Sequence, residues 1–327
     1  MTPTVSVLLP AFDGERYIGA AIESVLAQTY RDFELIVIDD GSRDGTLEAV
    51  RRFADSRIRI VTQLNRGLAG TLNRGIALAA GRYVARQDQD DLSFPGRLAR
   101  QVAHLDSDPT CALVGTWAEI WRGDTLTGRQ HRHPVDDATL KFELLLDNPF
   151  VHSSVMIRRE ALDRVGGYST DAARQPPEDY ELWSRIARGF GVANIPEVLH
   201  VYREVEGSMS REGPTPFMER LVTLSAENIA LAAQLPPDDP HATNIAALTH
   251  RAVHRLRGRP DFGAMKRVFT DAARHVAAAD DRDRIAAEAG RRMDRLRYRH
   301  LELMVPDGLA RALLRFAGRA ARALRIR

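Results

Sequence analysis

Lysine is almost missing from this chain of 327 residues: of 46 basic residues only Lys141 and Lys266 are lysines. Neither lies near the first strand-like segment, and no GxxxxGK[ST] sequence occurs, which excludes a P-loop nucleotidase. The turn after that segment, PAFDGERY, holds a single glycine, Gly14, so the GxGxxG fingerprint of a nicotinamide-binding module is missing too. Cysteine is limited to Cys111, which excludes an intrachain disulfide and a thiolate zinc cluster. Within DPTCALVGTW it reads as a small core residue rather than a nucleophile, and it suits a reducing compartment. No apolar run approaches the ~20 residues of a membrane span. The start, MTPTVSVLLPAF, lacks the basic flank of a signal peptide, which predicts a cytoplasmic protein. A net charge of +2 from mixed signs gives no footprint for nucleic acid.

What is present is a large soluble core composition, 44% apolar and 28% charged. The first half alternates β-rich runs with amphipathic helical patterns. Strands are expected at Val5 to Leu9, Phe33 to Ile38, Ile58 to Val61 and Arg82 to Arg86. Helices are expected from about Gly14 to Gln28, after Asp44 as a cap, over Leu68 to Ala79 with Gly81 closing it, and after Pro95. Such repetition predicts an α/β fold with a mainly parallel, mixed sheet and helices on both faces. Ligands of such sheets bind beyond the carboxyl ends of the strands.

After Cys111 the expected elements are strands at Ala118 to Trp121 and Phe150 to Ile157, with a helix near Thr139 to Leu145 between them. A helix from Pro177 to Gly189 and an extended stretch from Val198 to Tyr202 follow. From residue 216 only helical patterns remain: Phe217 to Gln234, Ala242 to Arg255, Phe262 to Ala279 and Asp281 to Met304. The expected division is 1–215, split into halves 1–115 and 116–215, and a helical region 216–327. Its last stretch, 309–327, would set Leu309, Leu313, Phe316, Ala320 and Leu324 opposite Arg311, Arg315, Arg319, Arg322 and Arg325. That helix suits a peripheral contact with an anionic membrane, and equally packing on its own domain or a partner.

Three acidic segments fall at strand or helix ends. In RQDQDDLSFP, Asp88, Asp90 and Asp91 crowd like charges at a strand terminus, which a hard cation such as Mg²⁺ or Mn²⁺ would relieve and solvent exposure in a turn would also explain. Asp39 and Asp40 end another strand, where a carboxylate can accept a base N–H, contact a ribose, or make an Asx-turn with Gly41. Glu178 and Asp179 open a helix, whose dipole favours their ionised form. They can cap that helix or serve as a general base. His152 and His200 read as polar residues at strand edges, and Trp183 as core or as a sugar platform.

Taken together, VSVLLPAFDGERYIGAAIESVLAQTYRDFELIVIDDGSRDGT, NRGLAGTLNRGI, RQDQDDLSFPGRLARQ, HSSVMIRRE, GGY and EDYELWSRIAR resemble the family-2 glycosyltransferases, inverting enzymes of the GT-A fold. The resemblance covers about residues 3 to 210. It implies a nucleotide pocket lined by Pro10 and Phe12, with Asp40 recognising the base and Asp39 near the ribose or bracing the loop. Asn65 and Arg66 would approach the nucleotide, and Arg74 would contact phosphate or act structurally. Asp88 and Asp90 form the Asp-x-Asp pair; Asp91 can replace Asp88 as a metal ligand.

Asp179 falls at the catalytic base, with Glu178 as runner-up. The implied reaction moves one sugar from a UDP- or dTDP-linked donor, with Mn²⁺ or Mg²⁺, to a hydroxyl of a glycan or lipid-linked acceptor of the cell surface. The oligomeric state is left open. Ala11-Phe12 departs from the small-residue-Tyr pair frequent in the family, which removes one hydroxyl. The competing readings are a non-catalytic nucleotide-sugar-binding or scaffold protein of the same fold and a sugar nucleotidyltransferase. The second would need a Gly-rich, Lys-bearing segment after the first strand, which PAFDGER does not offer.

Overall fold

Seven consecutive apolar or small residues, VSVLLPA, are buried along their whole length in β1 (Val5–Ala11), as a strand covered on both faces must be. A computed structural model describes residues 2–205 and 216–304 of the chain. Around β1 the elements alternate as α1 (Ile18–Leu26), β2 (Phe33–Asp39), α2 (Thr46–Arg51), β3 (Ile58–Thr62), α3 (Gly67–Leu78), β4 (Tyr83–Arg86), β5 (Leu92–Ser93) and α4 (Arg97–Ser107). Then come β6 (Cys111–Arg122), β7 (Thr125–His131), α5 (Asp137–Glu143), β8 (Met156–Arg158), α6 (Arg159–Val165), α7 (Glu178–Ala187) and β9 (Gly191–Glu204).

The sheet runs β3-β2-β1-β4-β8-β6-β9-β5, with β7 paired to β6. β1, β2, β3 and β4 are mutually parallel, whereas β8 joins β4 and β6 antiparallel. Because β1 leads to β2 on one side and pairs with β4 on the other, the strand order reverses there. A crevice opens at such a switch point. On one face Val5, Val7, Leu9, Leu35 and Val37 pack with Ile18, Ile22 and Val25 of α1 and Leu98, Val102 and Leu105 of α4. On the other, α3 approaches closely because position 75 is glycine: a Cβ there would lie 3.0 Å from Ile38 and 3.1 Å from Leu8.

Several expected boundaries change. The segment Phe150 to Ile157 is not one strand. Its middle, His152–Ser154, is a 3₁₀ turn, because the Ser154 hydroxyl donates to the Val151 carbonyl (2.9 Å) and accepts from the Thr116 N–H (3.2 Å). β6 and β9 are far longer than anticipated, and β7 was not anticipated at all; Gly123, at φ +54°, turns the chain between β6 and β7. Gly81 does not cap α3, which ends at Leu78. It gives way to β1 instead, since a Cβ at 81 would sit 2.6 Å from the Ser6 amide nitrogen. Gly81→Ala should therefore cost about 2 kcal/mol of stability in chemical denaturation.

The chain divides into units of residues 1–220 and 221–327. The boundary falls within α8 (Pro216–Ala232); the rest of α8 with α9 (Pro240–Thr249), α10 (Phe262–Val276) and α11 (Arg282–Met304) makes up the described part of the second unit, where Ile229, Ile245, Met265, Phe269 and Met293 are buried. The helix expected to run to Arg255 stops at Thr249, where Arg251 takes a positive φ, +59°. The basic stretch 309–327 lies outside the described residues. Among the described residues no helix is long and apolar enough to cross a membrane.

Candidate active site

The carboxyl ends of β1, β2 and β4 carry the first two acidic segments. Asp39 is buried and accepts the Ser42 N–H through Oδ1 (3.3 Å), an Asx-type turn that braces the loop. Asp40 is equally buried, and its Oδ1 accepts from the Gln63 amide (2.6 Å) and the Arg66 backbone N–H (2.9 Å). These bonds tie β2 to the loop holding Asn65 and Arg66, both exposed. Arg74 donates to Gln63 Oε1 (2.9 Å) and so orients the amide that serves Asp40. Pro10 is buried at the end of β1, and Phe12 is 40% exposed.

Gln89, the middle residue of the Asp-x-Asp pair, was not singled out from the sequence. Its side-chain amide accepts from the Phe12 N–H (2.9 Å) and donates to the Phe12 carbonyl (3.0 Å). It thereby staples the loop after β4 to the loop after β1. A Cβ at Gly14 would lie 2.2 Å from Gln89 Oε1, so glycine is needed there for the staple to close. The signal in the sequence was only an amide between two carboxylates.

The three carboxylates of the second segment have separate surroundings. Asp88 is paired with buried Arg86 through Oδ1 (2.5 Å). Asp90 is half-buried and makes no side-chain hydrogen bond among the described residues. Its carboxyl is pushed up to about 8, mainly by burial and then by Asp91 and Asp88. Asp91 is turned into the protein. It is 1% exposed, with Oδ1 accepting the Arg203 N–H (2.7 Å) and Oδ2 accepting from the Ser153 hydroxyl and from His200 Nε2 (3.2 Å).

Both oxygens of Asp91 are thus used inside the protein. His200 is correspondingly no strand-edge polar residue: it is fully buried, with its pKa held well below the usual value by burial and by Arg97. Arg203 also donates to the Asp90 carbonyl (2.6 Å) and to Asp124 (2.5 Å), and stacks on Tyr17 at 4.6 Å. Arg97 underpins the same loop, bonding Gln87, Ser93 and the Arg86 carbonyl, while burial lowers its pKa to about 9. Neither arginine is distinctive in a chain so rich in arginine.

No group of three or more His, Cys, Asp or Glu side chains suited to a metal occurs among the described residues. Asp90 and the remaining oxygen of Asp88 nevertheless fit a hard cation that keeps water and phosphate oxygens as its other ligands. A cation would also remove the cost of ionising Asp90.

The third acidic segment starts α7. Asp179 Oδ2 accepts from the Asn148 amide (2.7 Å) and lies 3.9 Å from His152 Nδ1. Burial works against the dipole's preference for the ionised pair. It raises Glu178 and pushes Asp179 up to about 7, where Glu178 adds further repulsion. His152 bonds the Tyr168 hydroxyl through Nε2 (3.0 Å), and its pKa is lowered well below the usual value by burial and Arg86. Tyr168 is held in turn by Asn73, which pairs with both its backbone groups at 2.8 Å. Trp183 is completely buried, which rules out the sugar-platform alternative for it. Cys111 is core, its thiol pushed up to about 12 by burial.

Arg86 joins the halves: its charge acts on Asp88, Asp90 and Glu178 alike. Segments some ninety residues apart in sequence therefore converge on one buried cation.

Residues 6–166 match glycosyl transferase family 2. The chain is 34% identical over 237 residues to the glycosyltransferase EpsE of Bacillus subtilis, covering 71% of this chain and 81% of that one. It is 30% identical over 209 residues to WfgD of Escherichia coli, a UDP-Glc:α-D-GlcNAc-diphosphoundecaprenol β-1,3-glucosyltransferase, covering 63% and 79%. Among solved structures, TarS 1–349 of S. aureus with UDP-GlcNAc superposes with a TM-score of 0.58 at 18% identity, over 90% of this chain and 89% of that one. This likeness shows the fold, which is GT-A.

Proposed function

Because the chain belongs to glycosyl transferase family 2, we propose that it transfers one sugar from a UDP-linked donor, with inversion, to a hydroxyl of a lipid-linked acceptor in cell-surface polysaccharide assembly. The observation that carries the reading is that buried Arg86 pairs with Asp88 while its charge also acts on Asp90 and on Glu178, the neighbour of Asp179. Donor-side and acceptor-side carboxylates must meet within one site for a single displacement. WfgD, which acts on a diphosphoundecaprenol-linked sugar, supports the acceptor class and the uridine donor.

In this reading Phe12 offers its exposed ring to the base, and Asp40 receives the base N–H on Oδ2, its other oxygen being engaged by Gln63 and Arg66. Asn65 and Arg66 flank the nucleotide. Asp88 and Asp90 would hold Mn²⁺ or Mg²⁺, which when bound neutralises charge on the diphosphate. Asp179, ionised, takes the proton from the acceptor hydroxyl. The acceptor oxygen forms its bond to the anomeric carbon as the bond from that carbon to the diphosphate breaks, and the nucleoside diphosphate leaves with the electron pair. Glu178 raises the basicity of Asp179 through repulsion.

A donor panel of UDP-, dTDP- and GDP-sugars, assayed for hydrolysis and transfer with Mn²⁺ or Mg²⁺ and with EDTA, tests this. Turnover of UDP-sugars that EDTA suppresses is expected. Full activity in EDTA would remove the metal, and silence with every donor would remove the reading. Asp40→Ala should raise the KM for the UDP-sugar about thirtyfold, the worth of one hydrogen bond to a charged group.

A further inference from the structure

A second feature lies on the same sheet face, on the acceptor side, and its residues have no part in the reading above. The ladder registers place Ser93, His200, Ala118 and His131 in one row across β5, β9, β6 and β7. Directly opposed residues point to the same face. His200 on that face meets Asp91 and Ser153, so His131 shares the face of the carboxylate loop, two strands or about 10 Å farther along. The next residue of β9 on that face, Tyr202, is the neighbour of Arg203, whose backbone N–H holds Asp91.

Three rings gather there. His131 stacks on His133 with centroids 5.5 Å apart and planes 10° from parallel, and it meets the edge of Tyr202 at 5.3 Å. All three are partly buried, with part of each side chain open to solvent. The His133 backbone is pinned where its carbonyl accepts from Trp117 Nε1 (2.9 Å). Burial, with Arg129 beside one ring and His131 beside the other, lowers both imidazole pKa values, His133 to about 4. Both shifts favour the neutral imidazole, so this is a pre-positioned aromatic surface. Such a surface suits the apolar C–H face of a pyranose ring. Trp183, the platform candidate in the sequence, cannot serve, being fully buried.

We propose that His131, His133 and Tyr202 form the platform on which a sugar ring of the acceptor stacks. The proposal rests on Asp179 marking the acceptor side. The 3₁₀ turn His152–Ser154 links the two places, with His152 beside Asp179 and Ser153 bonded to His200 (2.8 Å).

Saturation-transfer NMR on the full chain, with methyl N-acetyl-α-glucosaminide and methyl α-glucoside as probes and UDP as an internal control, tests it without turnover. Saturation of sugar ring protons is expected in the wild type. It should be lost in His131→Ala and Tyr202→Ala and kept in Tyr202→Phe and His131→Phe. In transfer assays the alanine variants should raise acceptor KM about tenfold, the ring-retaining variants little. Equal sugar saturation in wild type and alanine variants, or none in the wild type, would overturn the platform. UDP saturation reports on the donor reading separately: its loss from the wild type would undo that reading and leave the sugar result to stand or fall alone.

Discussion

Asp179→Asn should lower kcat for sugar transfer about a thousandfold, the scale set by removing a positioned general base. Donor affinity should hold, since the side chain faces Asn148 and His152 rather than the nucleotide loops. The wild-type pH profile carries the same information. With Asp179 pushed up to about 7 by burial and by Glu178, the carboxylate is protonated and idle below that pH. Transfer should rise as pH passes through about 7 and level off above it.

Folding stability has the opposite sign. The folded chain holds this proton more tightly than the unfolded chain, whose carboxyl titrates near 3.8, so the group's contribution declines as pH rises from about 4 to about 7. Asp179→Asn should flatten that slope. If Glu178→Gln abolishes transfer and Asp179→Asn does not, the base lies one residue earlier.

The second large effect separates two adjacent aspartates. Asp90→Asn should cut transfer by on the order of a hundred- to a thousandfold and abolish the thermal shift produced by Mn²⁺ with UDP. It should leave the fold intact, because the Asp90 carboxyl makes no side-chain hydrogen bond among the described residues and burial disfavours its charge. Asp91→Asn should do something different. It turns an amide toward Ser153 and His200 in place of an accepting oxygen, which should cost about 2 kcal/mol in denaturation. Activity then falls because the loop loosens. A stable Asp91→Asn protein that has lost its Mn²⁺ response would return the metal role to Asp91.

This contrast shows where sequence reasoning stops. Asp88, Asp90 and Asp91 stand in one turn, and spacing alone ranks none of them. Their difference comes from partners far away in the chain: Arg86 for Asp88, and Ser153, His200 and Arg203 for Asp91. Gln89 was legible only as the residue between two acids, yet it joins two loops. His152 looked like part of a strand because its neighbours are β-branched or apolar. The Ser154 hydroxyl, which bonds the main chain on both sides, holds a 3₁₀ turn there instead and leaves His152 beside Asp179.

From the sequence by itself came the α/β alternation, the parallel half of the sheet and the acidic segments at its ligand-binding edge. Hydrophobic periodicity and the absence of lysine- and glycine-rich phosphate loops are local properties, and these features follow from them. Tertiary structure alone decided the burial that raises the pKa of Glu178 and Asp179 against the helix dipole, and the inward turn of Asp91. It also decided the burial of Trp183 and the meeting of His131, His133 and Tyr202. Each of these depends on desolvation or on a contact between distant segments, and neither quantity is encoded within a short window of residues.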